Sequence, residues 1–279
     1  MYFKNLENIS TAVLTDTFNR AFEGYAIPLC FEVSVFERKL HVEHFSAKHS
    51  VGAFNEQDEL VGFILHCDSL YDKKVIYNGG TGVVPAYRGN GITKAMYRYA
   101  KEQFAQQGIT EVILEVLVNN TPAYKSYIDS GFVKSRNLKT YKGEPRHDVV
   151  NHEVRKVAIT EEALGEVKGM ATTKPSWQND FQAMLLSADF VQMYVAYEAE
   201  TPIGYVIFNP QSKRIHQIAV ASTHRRQGVG SSLLAALYKE FPEVYTIINI
   251  DADSAAIHSF FLGKGFERSI EQDELVWRF

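Results

Sequence analysis

The chain has 279 residues, 46% hydrophobic and 22% charged, with a formal net charge of −4. That length suits two domains that each bury a core, and the mild acidity gives no basic footprint for nucleic acid. No apolar run reaches membrane-spanning length, the start Met1-Tyr2-Phe3-Lys4-Asn5-Leu6 lacks the blocks of a signal peptide, and Cys30 and Cys67 form no close-spaced motif, so a reduced cytoplasmic protein without disulfides is expected.

Taken in order, Ala53-Phe54-Asn55-Glu56 and Leu60-Val61-Gly62-Phe63-Ile64 read as two strands joined by a short polar turn. A strand ends in Gly82-Val83-Val84, and Arg88-Gly89-Asn90-Gly91-Ile92-Thr93 opens a helix on which Ile92, Ala95, Met96 and Tyr99 recur at helical spacing. Val112 to Val118 reads as a buried strand, and the next helix ends in Ser130-Gly131-Phe132. Lys142-Gly143-Glu144-Pro145-Arg146-His147 is polar and aperiodic, which places a domain boundary between 144 and 145. The second half repeats the first. Ala196-Tyr197-Glu198-Ala199 and Ile203-Gly204-Tyr205-Val206-Ile207 pair as strands, and a strand ends in Ile218-Ala219-Val220. Arg225-Arg226-Gln227-Gly228-Val229-Gly230 then opens a helix carrying Val229, Leu233, Ala236 and Leu237, followed by a strand from Tyr245 to Ile250 and a helix ending in Lys264-Gly265-Phe266. Domains 1–144 and 145–279 therefore each read as two helices, strands, helix, strand, helix and closing strands. The fold class is α/β, with a mixed, mostly antiparallel central sheet flanked by helices in each half.

Glycines at a strand-to-helix turn let backbone N–H groups converge where the helix dipole favours an anion, so both turns suit a phosphate or pyrophosphate. A Rossmann dinucleotide site is disfavoured, because Gly89-x-Gly91 lacks the third glycine, and no Walker lysine motif is present.

The succession strand, Arg-x-x-Gly-x-[Gly/Ala], helix, strand, Asn-x-x-Ala-x-x-x-Tyr-x-x-x-Gly-Phe resembles the GCN5-related N-acetyltransferases. In the first half Arg88 to Thr93 matches the acyl-CoA pyrophosphate turn, with Thr93 where Gly or Ala is usual, and Asn120-Thr121-Pro122-Ala123 through Tyr127 to Gly131-Phe132 matches the later motif. The resemblance covers almost the whole chain in tandem. It implies acetyl-CoA as co-substrate and transfer of acetyl to a primary amine on a small molecule or peptide; no metal is expected, and the charge and hydropathy lead to no nucleic-acid or membrane partner being expected. The amides of Gly89, Asn90, Gly91, Ile92 and Thr93 would receive the pyrophosphate, Val83 and Val84 the pantetheine and acetyl carbonyl, and Asn120 the pantetheine arm. In the second half the same implication falls on Val220 and on Arg225, Arg226, Gln227, Gly228, Val229 and Gly230.

Acyl transfer to an amine needs donors for the developing oxyanion, a base for the amine and an acid for the thiolate. Leu114-Glu115-Val116 with Asn120 and Tyr127 is similar to the ribosomal-protein N-terminal acetyltransferases, which implies Glu115 as general base and Tyr127 as general acid. Glu115 equally fits a structural partner of a lysine or arginine, and Tyr127 a half-buried helix tyrosine. In the second half Asn249 stands at the glutamate position, Phe261 at the tyrosine position, Ser254 at the asparagine position and Ile257 at the alanine position. Phe has no proton to donate and Asn is no base at neutral pH. The second domain is therefore expected to be degenerate, able to hold a CoA-like ligand or descended from one that did, without catalysis, with Asp251 or Asp253 as unorthodox alternatives for a base. The alternative for the whole chain is a non-catalytic CoA-binding or partner-binding tandem module. His41, His44 and His49 lack a companion ligand set and read as a solvated helix face and loop. Pro175-Ser176-Trp177-Gln178-Asn179 reads as a helix cap with a packing tryptophan, and otherwise as the border of an acceptor pocket. Gly24-Tyr25-Ala26-Ile27-Pro28-Leu29 is its counterpart in the first half.

Overall fold

The computed structural model describes residues 1–24, 29–146 and 152–279. Residues 25–28, within the first-half segment expected at an acceptor site, and His147, within the expected linker, lie outside the described residues. The chain order is β1 (Tyr2–Asn5), α1 (Thr11–Ala21), α2 (Val33–Val42), β2 (Val51–Phe54), β3 (Leu60–Asp68), β4 (Val75–Val83), α3 (Ile92–Gln107), β5 (Glu111–Leu117), α4 (Thr121–Asp129) and β6 (Val133–Gly143). It continues with β7 (Glu153–Val157), α5 (Glu161–Val167), α6 (Phe181–Leu186), β8 (Gln192–Glu198), β9 (Thr201–Asn209), β10 (Arg214–Val220), α7 (Val229–Glu240), β11 (Tyr245–Asp251), α8 (Ala255–Gly263) and β12 (Glu267–Arg278).

Two compact units form: Met1–Ser135 with Asp273–Phe279, and Arg136–Gln272. This differs from a division at 144/145. The aperiodic, Gly-containing segment reads as a linker, yet Lys142 and Gly143 are strand residues that pair with Thr246 and Tyr245. Tyr141 is fully buried in the second core, while Leu275 and Trp277 near the C-terminus lie in the first. Aromatic side chains, which sequence order does not place, decide which core each closing strand joins.

In the first unit the strands run β1-β2-β3-β4-β5-β12, and the two faces follow strand alternation, shifted in β3 by a bulge at Val61. Val51, Ala53, Val61 and Ile64 pack with Met96, Tyr97 and Phe104 of α3 and Tyr127 of α4 on one side. Phe54, Leu60, Phe63 and Leu65 pack with Leu14 and Phe18 of α1 and Phe36 and Leu40 of α2 on the other. Tyr97, rather than Tyr99, is the fully buried tyrosine of α3, and its ring meets Trp277 edge-on at 5.7 Å. The second unit runs β6-β11-β10-β9-β8-β7 and repeats the scheme. Tyr194, Ala196, Val206 and Phe208 face α7, and Met193, Val195, Tyr205 and Ile207 face α5 and α6.

Two features of each sheet position the turns. A strand glycine lets the following helix start close over it: a Cβ on Gly204 would lie 2.8 Å from Val229 Cγ1, and one on Gly62 would lie 3.4 Å from Ile92 Cγ2. The parallel pairs are short. β4 and β5 pair only from Val75↔Glu111 to Tyr77↔Ile113, and β10 and β11 only at Arg214↔Thr246 and Ile215↔Ile247. Beyond those points the strands part.

Truncating Trp277→Ala should remove about 3–5 kcal/mol of stability, as for a large buried aromatic. Hydrogen exchange should then quicken in α3 and β5 rather than in α7; even acceleration across both units would contradict this assignment of β12. A second test concerns the turn. A Cβ at Gly230 would lie 3.0 Å from Phe260 Cζ, while the corresponding residues of the first unit are Thr93 and Ser126. Gly230→Thr and Phe260→Ser together should be less damaging than the sum of the single changes, by about 0.5–3 kcal/mol in a double-mutant cycle of urea unfolding.

Candidate functional site

Both glycine turns pass through left-handed residues into the start of a helix. In the first, Gly89 has φ 80° and Gly91, the residue before α3, has φ 69°, a left-handed conformation that favours glycine. The first helical bond runs from Ala95 N–H to Gly91 O at 3.0 Å, so the amides of Ile92, Thr93 and Lys94 precede it at the helix N-terminus. A Cβ on Gly89 or Gly91 would meet no atom within 4 Å, which leaves open space over the turn. In the second turn Gly228 has φ 88° and Arg226 has φ 63°. The turn that looks tidier in sequence thus holds an arginine where the other uses Gly89, a conformation that costs an L-residue about 1–2 kcal/mol.

The motif arginines brace the turns. Arg88 Nε donates to Val83 O at 3.0 Å and Arg88 Nη2 to Ala21 O at 2.8 Å, and Arg225 Nε donates to Val220 O at 3.1 Å. Asn90 Nδ2 donates to Tyr87 O at 3.1 Å, closing the turn on itself. His152 Nε2 lies 2.8 Å from Gln227 O. Val84, expected at the pantetheine, is engaged on both sides: its N–H donates to Val61 O and its O accepts from Tyr87 N–H, each at 2.9 Å. Strand alternation therefore turns the Val83 amide toward the parted edge, and the Val220 amide likewise, since Ala221 N–H donates to Ile203 O at 2.9 Å. The Val84 amide, expected at the pantetheine, is therefore already engaged within the sheet.

Glu115 stands on β5 beyond the last β4–β5 pair, half-buried, and accepts a hydrogen bond from Tyr77 OH. Burial, with the Glu115 and Glu43 carboxylates nearby, pushes the Tyr77 phenol well above its ordinary pKa, so it stays a donor. Tyr127 lies on α4 with its ring edge-on to Tyr97 at 6.2 Å and Phe132 at 5.7 Å, and is 8% exposed. Asn120 caps α4, its Oδ1 accepting from Ala123 N–H at 3.3 Å. Sequence reasoning missed Tyr77, Lys39 and Glu43. Lys39 pairs with Glu43 one helical turn away and donates to Gly79 O at 3.2 Å. Gly79 is the unpaired residue of a bulge in β4, and a Cβ there would lie 2.6 Å from Glu43 Oε2, so the carboxylate occupies that place. The i,i+4 spacing of Lys39 and Glu43 was the one available signal.

The second turn opens onto a cavity of about 550 Å3. Gly228, Val229 and Gly230 line one end, the parted β10 and β11 line its walls, and Asn179, Tyr205, His216, Gln217 and Asn249 close the other. The bulge of β10 leaves His216 at the place Gly79 holds in β4. Tyr205 OH donates to Gln217 Oε1 at 2.6 Å. Asn179 Nδ2 donates to Ile248 O at 2.8 Å, and Asn179 Oδ1 accepts from Arg214 Nη2 at 3.1 Å. Phe261 is fully buried in the core. Asp251, the alternative base, is held by Arg136 Nη1 at 3.1 Å and by Asp253 N–H at 3.0 Å, and Asp253 is itself exposed. Ser254 Oγ donates to Thr173 Oγ1 at 3.3 Å. Trp177 opens a 3-10 turn between α5 and α6, and within its segment Pro175 and Asn179 line the cavity while Trp177 does not.

His49 Nδ1 lies 2.6 Å from Asp68 Oδ1, and His44 Nδ1 lies 2.8 Å from Asp68 O, so these two histidines are tied to the end of β3. Among the described residues no group of three or more His, Cys, Asp or Glu is placed to hold a metal ion, and no helix is long and apolar enough to cross a membrane.

Residues 13–132 match the model of the acetyltransferase (GNAT) family and residues 189–268 that of an acetyltransferase (GNAT) domain. Over 133 residues the chain is 30% identical to a ribosomal protein bS18-alanine N-acetyltransferase of Haemophilus ducreyi, taking in 48% of this chain and 87% of that protein. A GCN5-related N-acetyltransferase from Sphaerobacter thermophilus superposes with a TM-score of 0.70 at 11% identity, covering 99% of this chain and 95% of that one. A tandem GNAT protein from the clavulanic acid biosynthesis pathway superposes at 0.73 with 12% identity, covering 99% and 98%. At such identities these two likenesses are of fold. With a family match in each half and the fold matched along its length, the chain belongs to the GCN5-related N-acetyltransferase (GNAT) family as a tandem two-domain member.

Proposed function

We propose that the protein is an acetyl-CoA-dependent N-acetyltransferase whose first unit moves acetyl to a primary amine by direct attack. The observation that carries this reading is the position of Glu115. It sits on the parted stretch of β5, just past the Tyr77↔Ile113 pair, in the unit whose glycine turn runs over residues 89–93. The turn amides would hold the pyrophosphate, and the Val83 amide the acetyl carbonyl, where negative charge develops in the transition state. Tyr77 orients the Glu115 carboxylate. Glu115 takes the amine proton as the C–N bond forms, and Tyr127 gives a proton to the sulfur as the C–S bond breaks. No enzyme-bound acyl group is required. The Haemophilus ducreyi relative is named for an alanine N-terminus, which makes a peptide α-amine the first acceptor to try.

Thiol release from acetyl-CoA with an amine panel tests the reading. Glu115→Gln and Tyr127→Phe should each lower kcat by about 10²- to 10⁴-fold, the usual worth of general acid or base catalysis, with little change in KM for acetyl-CoA. Wild-type rates in both variants would reject these roles. Tyr77→Phe should reduce kcat by a smaller factor, of order 10, because it loosens the base without removing it. Tight acetyl-CoA binding with no thiol release on any amine would instead favour a binding module.

A further inference from the structure

The second unit lacks the glutamate and tyrosine of the first, yet the far end of its cavity is built from polar side chains. Asn249 is the first of them. It stands at φ 58° in a bulge of β11, where Ile247 pairs with Tyr141 and Ile250 with Lys139. Asn tolerates this left-handed conformation better than most residues. Glu115, in its strand, has no such backbone, so the two residues match in sequence but not in geometry. Asn249 is 6% exposed and lines the cavity, and its Oδ1 has no hydrogen-bond partner among the described residues. A buried carbonyl oxygen without a donor is costly in the empty protein and well placed to accept from a ligand N–H.

His216 is the second. The bulge of β10 leaves it outside the ladder, beside Asn179, with Nδ1 lying 3.2 Å from Asn179 Oδ1. The Asn179 amide has only one consistent orientation. Arg214 can only donate to it and the Ile248 carbonyl can only accept from it, so the side facing His216 is oxygen. Nδ1 therefore carries the hydrogen, and Nε2 is the acceptor nitrogen of the neutral ring. Burial and the Arg214 charge push the imidazole well below its ordinary pKa, with the Gln178 carbonyl opposing in part, so the ring is neutral near pH 7. In the first unit the corresponding bulge position is glycine, and the Glu43 carboxylate fills the space. Each unit thus brings a proton acceptor to the same point of the sheet by a different route.

We propose that the second unit is an acyl-transfer centre of its own, in which Asn249 Oδ1 holds an attacking primary amine and His216 Nε2 takes its proton. The amine nitrogen bonds to the thioester carbon of an acyl-CoA and the C–S bond breaks. The proton on His216 then returns to the departing thiolate directly or through water, so no tyrosine is needed at Phe261. The proposal shares its donor with the function proposed above, but not the unit in which transfer occurs.

The test uses the full-length chain carrying Glu115→Gln and Tyr127→Phe together. Acetyl-CoA is supplied with an alanyl peptide, lysine, spermidine and glucosamine, and both thiol and acetylated amine are measured. The doubly substituted protein should lose the first unit's turnover and keep a residual amine-dependent turnover from the second unit. Adding His216→Ala should lower it at least about 100-fold, with partial recovery in free imidazole, which a purely structural histidine would not show. Asn249→Gly, which suits the left-handed backbone and so preserves the fold, should raise KM for the amine by about 10-fold. Independently of turnover, diethyl pyrocarbonate should label His216 in the free protein, and acetyl-CoA should protect it. If the double substitution abolishes a wild-type activity, the second centre is overturned and the first-unit reading stands. If activity is untouched by the double substitution and lost with His216→Ala, the second centre stands and the first-unit reading falls. No turnover by the wild type with any amine overturns both, and labelling of His216 unaffected by acetyl-CoA overturns the second centre.

Discussion

A parallel strand pair that begins joined and then parts is the constraint on which each unit depends. Main-chain N–H and C=O groups inside a protein need partners. In β4 past Tyr77, and in β10 past Ile215, one edge of the strand loses its partner strand while the other remains in the ladder. The amides of Val83 and Val220 are thereby aimed into a gap. The bulges at Gly79 and His216 lie at the start of that gap, where the local ladder is interrupted and a side chain can be re-aimed.

The turn and helix after each parted strand make the gap usable. The left-handed residues Gly91 and Gly228 reverse the chain, and Arg88 and Arg225 tie the turn back to the last strand carbonyl. Helix N-termini then point their unbonded amides at the mouth of the gap. Gly62 and Gly204 let the helices close over the sheet. One loop, one brace and one glycine-floored contact recur in both units, even where the residues at the far end differ.

The far ends differ in charge and in origin. The first unit gathers Glu43, Glu115 and Tyr77 around the opening, with Lys39 balancing one carboxylate. The second gathers Asn179, Gln217, Tyr205, Asn249 and a neutral His216. Glu43 and Lys39 enter from α2 and Asn179 from the 3-10 turn at Trp177–Asn179, while the other members stand on the strands.

The α/β class, the tandem repeat and the two turns are legible in the amino-acid sequence, because hydrophobic periodicity and glycine placement act over a few residues and are visible locally. Helix starts at Ile92 and Val229 can be read for that reason, as can the succession from Glu115 to Tyr127. Packing across the fold settled which core received the closing strands, since Tyr141 and Trp277 choose by contact with residues far away in sequence. Only in three dimensions is Val84 seen to be engaged on both sides, Glu43 to enter from α2 and fill the space at Gly79, and Asn249 to sit in a bulge rather than where counting from Gly265 put a glutamate equivalent. Register shifts of one residue move a side chain from one face of a strand to the other, and no local pattern in this sequence announces them.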